Sequence, residues 1–449
     1  MKENPMKILI ITTCYPPDTA IAAVRPYMFA KHLTQFGHEV TVLRSGLLQN
    51  SADRSFAGHG DIRVITYLGD DSPAVRFEQN HSDFCFHANT SGDSRISFLP
   101  SFIRKPLAAA FHAITAPYDF KRWLKEYMVD RLVPLKQAVD KLKGEHFDVV
   151  FSTYGSLENI PGGQYAAETL GCKWVLDFRD PVTLHAINWY ALPILKRIQD
   201  QGVRRADACT TVAEDLAEQI SKSAGGAEIH TIYNGYEPIA EDSVPIPKED
   251  DRSLSFCFTG TIGHGVRRDF SPLFEALKVL SDAGKISLDN VRFDYAGNDF
   301  DLLQEYARKH GVEHILRNHG YLQRQASYIL QKKADFFLVA NPNTKALRGA
   351  LSGKFCEGIR CASPIIAIMN GNIPNSELYK INQRFHYGFC YEMCRRKELF
   401  PQFCSYLEQA YLQKRKDGTV PYSPAPEFAS HFRYDSQVRK LEDVLQSVL

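Results

Sequence analysis

The sequence predicts an α/β protein of two doubly wound lobes, each built around a parallel sheet. Three observations carry this expectation. Short β-branched apolar runs, such as Lys7–Thr12 and Leu254–Thr259, read as fully buried strands, and stretches of helical periodicity alternate with them. The alternation begins near the N-terminus and begins again after residue 253, beyond a Pro-rich, charged, aperiodic stretch over 237–253. The chain has 449 residues, room for two or three domains of roughly 100–200 residues, each able to bury a core.

The first run, KILIIT, ends in a turn at Cys14-Tyr15-Pro16-Pro17. Phe29, Leu33 and Phe36 then repeat at helical spacing from about Val24, and Gly37 closes the helix. Residues 38–43 form the next strand, completing a βαβ unit and so implying parallel pairing. Residues 47–130 lose the rhythm and read as irregular. Within them, 98–128 interleaves Phe98, Leu99, Phe102, Ile103, Trp123 and Leu124 with Arg104, Lys105, Lys121, Arg122 and Lys125, a composition suited either to a membrane-facing surface or to a core helix pair with a solvated basic face. Strands are predicted at 147–152, 173–178, 207–212 and 228–233. In the second half they are predicted at 254–259, 291–296, 335–340 and 365–369, with helices at 271–280 and 352–361. Val438, Leu441, Leu445 and Val448 make a helical stripe that needs a surface to cover it. The expected division is an N-terminal lobe over 1–238, a linker over 239–253, a C-terminal lobe over 254–425 and a tail helix over 426–449.

Composition narrows the function. Lys plus Arg total 53 and Asp plus Glu 52, a net charge of +1, which argues against nucleic acid as the main partner. The start is polar and no run approaches the ~18–20 apolar residues of a spanning helix, so a cytoplasmic protein is expected. The ten cysteines are scattered without zinc-site spacing; they read as reduced thiols, and no metal is expected.

Three segments carry chemistry. Ser352 sits where it would cap a helix, placing Gly353 and Lys354 in a first turn whose free N–H groups and positive dipole end attract anions. Glu357 shares a face with Lys354 and suits ribose hydroxyls; the same pattern also describes a surface helix with an i,i+3 ion pair. The second segment, Gly260-Thr261-Ile262-Gly263-His264-Gly265-Val266-Arg267-Arg268, joins a Gly-rich turn to two arginines, as a diphosphate site or a flexible loop would. The third is Asp177-Phe178-Arg179-Asp180-Pro181 at a strand's carboxyl end, where open α/β sheets bind ligands. Arg179 between two acids would keep both ionised, to orient sugar hydroxyls and take a proton, with Asp180 the preferred base; a loop ion pair is the plain alternative. Asp299-Phe300-Asp301 opens a helix, and Asp299 reads as an N-cap rather than a metal ligand.

Taken in order, these residues resemble the family 4 retaining glycosyltransferases of GT-B fold, nearest to those that build surface polysaccharides (lipopolysaccharide, capsule) and lipid-linked glycans in bacteria. The resemblance covers nearly the whole chain. It rests on Tyr15-Pro16-Pro17 and Arg25, on Pro117, Asp119 and Trp123, on WVLDFRDP from Trp174, and on Ala206-Asp207 with Thr210 to Glu214. Tyr233-Asn234-Gly235-Tyr236, FTGTIGHGVRRD from Phe258 and SGKFCEGIRCASPII from Ser352 complete it. It implies two Rossmann-like lobes around a cleft, with the tail helix crossing back to the N-terminal lobe. The donor nucleotide sugar would meet Gly260, Thr261, Arg267, Arg268, Ser352, Gly353 and Lys354 through its diphosphate and Glu357 through its ribose. Tyr15, Arg25 and Trp123 would lie on the acceptor side. No obligatory metal or cofactor is implied. The acceptor would be a glycan or lipid-linked glycan, and the site cytoplasmic, with peripheral contact to the inner face of the plasma membrane. Two departures stand out: Gly349 occupies a position where many members carry a glutamate facing the donor sugar, and Asp18 to Ala22 replace paired glycines. The expected alternatives are a nucleotide-sugar epimerase of the same fold and a non-catalytic nucleotide-binding scaffold.

Overall fold

A computed structural model describes residues 4–18, 21–46, 62–68, 101–182, 190–238, 252–263, 268–345, 347–349 and 351–449. The chain divides into two compact units, one comprising Met1–Thr211, Ala217–Thr231 and Lys440–Leu449, the other Val212–Leu216 and Ile232–Arg439.

The first unit holds strands β1 (Lys7–Thr12), β2 (Glu39–Arg44), β3 (Arg63–Thr66), β4 (Val149–Tyr154), β5 (Lys173–Phe178), β6 (Ala208–Thr211) and β7 (His230–Thr231). They form one parallel sheet in the order β3-β2-β1-β4-β5-β6-β7. Its helices include α1 (Val24–Gln35), α2 (Ser101–Asp140), α3 (Asn159–Leu170), α4 (Leu192–Arg205) and the greater part of α5 (Glu214–Ser223). β4 is buried along its whole length, as a strand covered on both faces must be.

The second unit repeats the plan with β8 (Leu254–Thr259), β9 (Val291–Ala296), β10 (Leu316–Asn318), β11 (Phe336–Asn343), β12 (Ile365–Gly371) and β13 (Gly388–Glu392). Their order, β10-β9-β8-β11-β12-β13, is again parallel and again reverses direction beside its first strand. Around it lie α6 (Ser271–Asp282), α7 (Phe300–Arg308), α8 (Arg324–Lys333), α9 (Gly353–Arg360), α10 (Glu377–Phe385), α11 (Arg396–Asp417) and α12 (Phe428–His431); α13 (Tyr434–Ser447) closes the chain. The period of two sorts side chains to two cores. Phe336 and Leu338 of β11 join Phe256, Phe258, Ile366 and Ile368 on one face. Phe337 and Val339 join Ile365, Ala367 and Phe355 on the other.

Two expectations change. Residues 101–130, read as irregular, belong to the 40-residue helix α2; Pro106, Pro117 and Pro134 disguise its periodicity. The boundary falls at residues 231–232, ahead of the Pro-rich stretch, because Tyr233 packs in the second unit's core with Phe432 and Tyr236 bridges Arg433. Most of the expected linker, 239–251, lies outside the described residues. The last turns of α13 belong to the first unit, where Glu442 Oε1 meets the buried His38 Nε2 at 2.8 Å.

Candidate functional site

A strand order that reverses beside its first strand leaves a crevice at the carboxyl ends of the strands flanking the reversal. In the second unit those strands are β8 and β11. β8 ends at Thr259, and Gly260 follows with φ +124°, a backbone conformation that side chains rarely adopt. Downstream of β11, Ser352 stands in extended conformation at the N-cap of α9.

These elements bring Thr259, Gln331, Lys354 and Glu357 into one hydrogen-bonded ring. Lys354 Nζ donates to Glu357 Oε2 at 2.5 Å and to Thr259 Oγ1 at 3.3 Å. Gln331 Nε2 donates to the same two oxygens, at 3.1 Å to Glu357 and 2.6 Å to Thr259. Gln331 and Thr259 are buried, whereas the Lys354 and Glu357 side chains are 28% and 35% exposed. The ammonium is therefore held by two side-chain oxygens and stays partly exposed, at a helix N-terminus whose dipole adds to its charge. A Cβ on Gly260 would lie 3.4 Å from Lys354 Cε, so the loop runs directly past that side chain.

Arg268 turns its guanidinium back onto the same loop. Its NH1 donates to Thr261 O at 2.9 Å, and its backbone N–H donates to Ile262 O. Burial pulls its pKa down, and the charge of Asp299 opposes that. Arg267 lies outside the described residues. Asp299 stands at the N-cap of α7 without capping it. Its Oδ2 instead accepts from Ile262 N at 2.6 Å and Gly263 N at 3.2 Å, while Tyr295 OH holds Gly260 O at 2.9 Å. Ser352 likewise occupies the N-cap without a side-chain cap bond, and its buried Oγ has no partner among the described residues. Sequence reasoning missed Thr259, Gln331, Tyr295 and Asp299's role; Thr259 and Gln331 had no local signal, since each is placed by strand and helix packing.

The first unit tells a different story. Asp177 is fully buried and saturated: it accepts from Arg25 Nε at 3.2 Å, Arg25 NH2 at 2.8 Å, Thr153 Oγ1 at 2.8 Å and Thr210 Oγ1 at 2.7 Å. Burial alone would push its carboxyl up; the Arg25 charge and these hydrogen bonds outweigh that and hold it below the usual carboxylate range. The expectation that Arg179 sits between Asp177 and Asp180 is corrected. Arg179 donates to Ala22 O at 2.6 Å and Tyr154 O at 3.4 Å, and the cation on Asp177 is Arg25, a residue distant in sequence. Asp180 is exposed at the carboxyl end of β5. Tyr15 and Arg25 are buried, so both support the strand ends from beneath. Trp123 is half-buried in an aromatic row with Phe120 and Tyr127.

Gly349 adopts φ +72°, and a Cβ there would meet Leu216 N at 2.9 Å and Asp215 Cβ at 3.1 Å. The space in which a longer side chain would start is filled by the first turn of α5. Asp215 is itself buried and paired with Lys380 at 2.6 Å and Arg348 at 3.4 Å. Among the described residues, no group of three His, Cys, Asp or Glu side chains is placed to hold a metal.

No family profile matches the chain, and no characterised protein matches it by sequence. Solved structures do. The N-terminal domain of a Candida albicans trehalose-6-phosphate phosphatase aligns at TM-score 0.61 with 11% identity, over 99% of this chain and 97% of that one. The lipopolysaccharide outer core galactosyltransferase WaaB aligns at 0.56 with 14% identity, over 99% and 100%. A Listeria monocytogenes protein described as a putative UDP-N-acetylglucosamine 2-epimerase aligns at 0.52 with 10% identity, over 99% and 96%. Two parallel Rossmann-like sheets of matching strand order, and these alignments over nearly whole chains, establish the GT-B fold.

Proposed function

We propose that the protein is a retaining glycosyltransferase that moves a sugar from a nucleotide-sugar donor to a glycan or lipid-linked acceptor in surface-polysaccharide synthesis. The observation that carries the donor assignment is Lys354. Its ammonium is immobilised by Glu357 and Thr259 at the start of α9, beside the positive-φ Gly260 and the crossover of the second sheet. Charge growing on a departing diphosphate would meet a cation and a helix dipole already in place, so little reorganisation accompanies the reaction. Arg268 adds a second positive group on the same loop. Glu357 keeps a partly exposed carboxylate for ribose hydroxyls.

Acceptor chemistry falls to the first unit. Asp180 is exposed beside the fixed Arg179 and is the group proposed to take the proton of the attacking hydroxyl, help worth typically ~10²–10⁴-fold. Asp177 and Arg25 hold the strand ends that carry it. This narrows the catalytic role to Asp180 and makes Asp177, Arg179, Tyr15 and Arg25 positioning residues.

The test is calorimetry of the full chain against a panel of nucleoside diphosphates, followed by release of diphosphate from the matching nucleotide sugar. Saturable binding lost in Lys354→Ala, with release that depends on an added acceptor, is the expected result. Release without acceptor, accompanied by a changed sugar epimer, would favour the epimerase reading, for which a structural neighbour exists. Binding without any release would make the protein a nucleotide-binding scaffold.

A further inference from the structure

We infer that Gln331 is a positioning residue of the donor site: its side-chain amide holds the Glu357 carboxylate in the one rotation that presents a free oxygen to a ribose diol. Gln331 lies on α8, where it is 3% exposed while the other residues of that helix are half-buried or exposed. A buried amide is unfavourable unless its polar atoms are used, and here both ends are. Nε2 donates to Thr259 Oγ1 at 2.6 Å and to Glu357 Oε2 at 3.1 Å, and Oε1 accepts from Cys361 Sγ at 3.8 Å. The amide's orientation follows from the partners. A carboxylate only accepts, so the nitrogen faces Glu357 and the oxygen faces the thiol.

The consequence lies at Glu357. A carboxylate offers about four lone-pair positions, two on each oxygen. Oε2 receives both Lys354 Nζ and Gln331 Nε2, so its two are taken. Oε1 accepts no hydrogen bond among the described residues, and the side chain is 35% exposed. The two positions left, both on Oε1, match the two hydroxyls of a ribose cis-diol. With Lys354 as its only donor the carboxyl plane would swing about that contact, because the terminal torsion of a glutamate is broad. A second donor from a different helix, itself held by Thr259 and Cys361, stops the swing. The inference rests on the donor-site reading and narrows its substrate class. Sugars carried on a ribonucleoside diphosphate are preferred over those carried on thymidine diphosphate, which lacks the 2′-hydroxyl.

The experiment is calorimetry of the full chain with uridine, guanosine and adenosine diphosphates and with their 2′-deoxy counterparts. For the base that binds, the ribo form should bind about tenfold more tightly, the size of a lost hydrogen bond to a charged group. Gln331→Met keeps the length of the side chain and removes its polar atoms. It should bring that ratio down to about two, with the 2′-deoxy form held within about twofold of wild type. Lys354→Ala, which acts on the diphosphate, should weaken both forms alike. Glu357→Ala should also collapse the ratio, and adding Gln331→Met to it should change the ratio no further, because the first residue acts through the second. Equal binding of both forms by the wild type overturns the inference. So does an unchanged ratio in Gln331→Met, an equal loss of both forms by that variant when folded, or additivity in the double variant. If Gln331→Met does not fold, Cys361→Ala decides: it releases the amide oxygen and should lower the ratio about twofold, and an unchanged ratio overturns the inference. A wild type that binds none of the diphosphates would instead overturn the donor-site reading, and the inference with it.

Discussion

Each unit carries an ion pair near the carboxyl ends of its strands, and the two pairs are put to opposite uses. Arg25–Asp177 in the first unit is sealed, with side chains 3% and 0% exposed and every carboxylate oxygen occupied. Lys354–Glu357 in the second stays about a third exposed among the described residues. Burial decides the difference. A sealed pair recovers its desolvation cost only by full satisfaction and has nothing left to offer a ligand. A half-open pair is inexpensive to hold and keeps one side for chemistry. The strand ends of the first unit are thus braced by charge, and those of the second are armed with it.

The sharpest way to break the comparison is to remove one partner of the sealed pair. Asp177→Asn should lower unfolding free energy by about 3–5 kcal/mol, because Arg25 stays buried without its counter-charge. Urea titration at neutral pH measures this. The Asp177 carboxyl is held below its ordinary value, so its contribution is present above about pH 4 and is lost as pH falls through the lower folded-state value. The gap between wild type and variant should therefore narrow in acid. A constant gap would mean that the lost hydrogen bonds, rather than the charge, set the cost.

Lys354→Ala should show the reverse profile. Stability stays within about 1 kcal/mol, since an exposed pair contributes little. Donor affinity falls by about 1.5–3 kcal/mol, the worth of a charge-assisted contact, and Glu357→Ala moves it the same way. Unchanged nucleotide affinity in both variants would place the donor elsewhere. Gly349→Ala should cost about 1–3 kcal/mol through its positive φ and the close approach of Leu216; a neutral thermal unfolding result would mean that α5 yields there. The smallest effect belongs to Ser352→Ala. A working N-cap is worth about 1 kcal/mol, but this hydroxyl has no partner among the described residues, so stability should not change. Loss of nucleotide affinity in that stable variant would show the hydroxyl reaching the ligand.

Much of the fold was legible because buried parallel strands announce themselves: 173–178, 254–259 and 291–296 match β5, β8 and β9 residue for residue. The edge was not. A six-residue strand expected at 228–233 shortens to His230–Thr231, since among the described residues β7 pairs only with the four-residue β6. In the site, Lys354 and Glu357 were readable as a shared helical face. Asp177 was not readable, because its partner lies 152 residues away and nothing local marks the pair as sealed. Asp299 looked like a cap because position suggests one; the loop amides of Ile262 and Gly263, brought near by the sheet, claim its carboxylate.

Two buried cysteines near the Lys354 cluster report on how this part of the second unit opens. Cys257 in β8 and Cys356 in α9 are buried, and burial pushes the Cys356 thiol up to about 12 and Cys257 well above its ordinary value. A thiol reacts through its thiolate, so in the closed state both are silent toward alkylating reagents at neutral pH. Each labelling event at Cys356 then records one excursion in which α9 parts from the Asn234 carbonyl that its sulfur contacts. The rate of modification at that sulfur is a clock on the helix that carries Lys354, and a bound nucleotide should slow it.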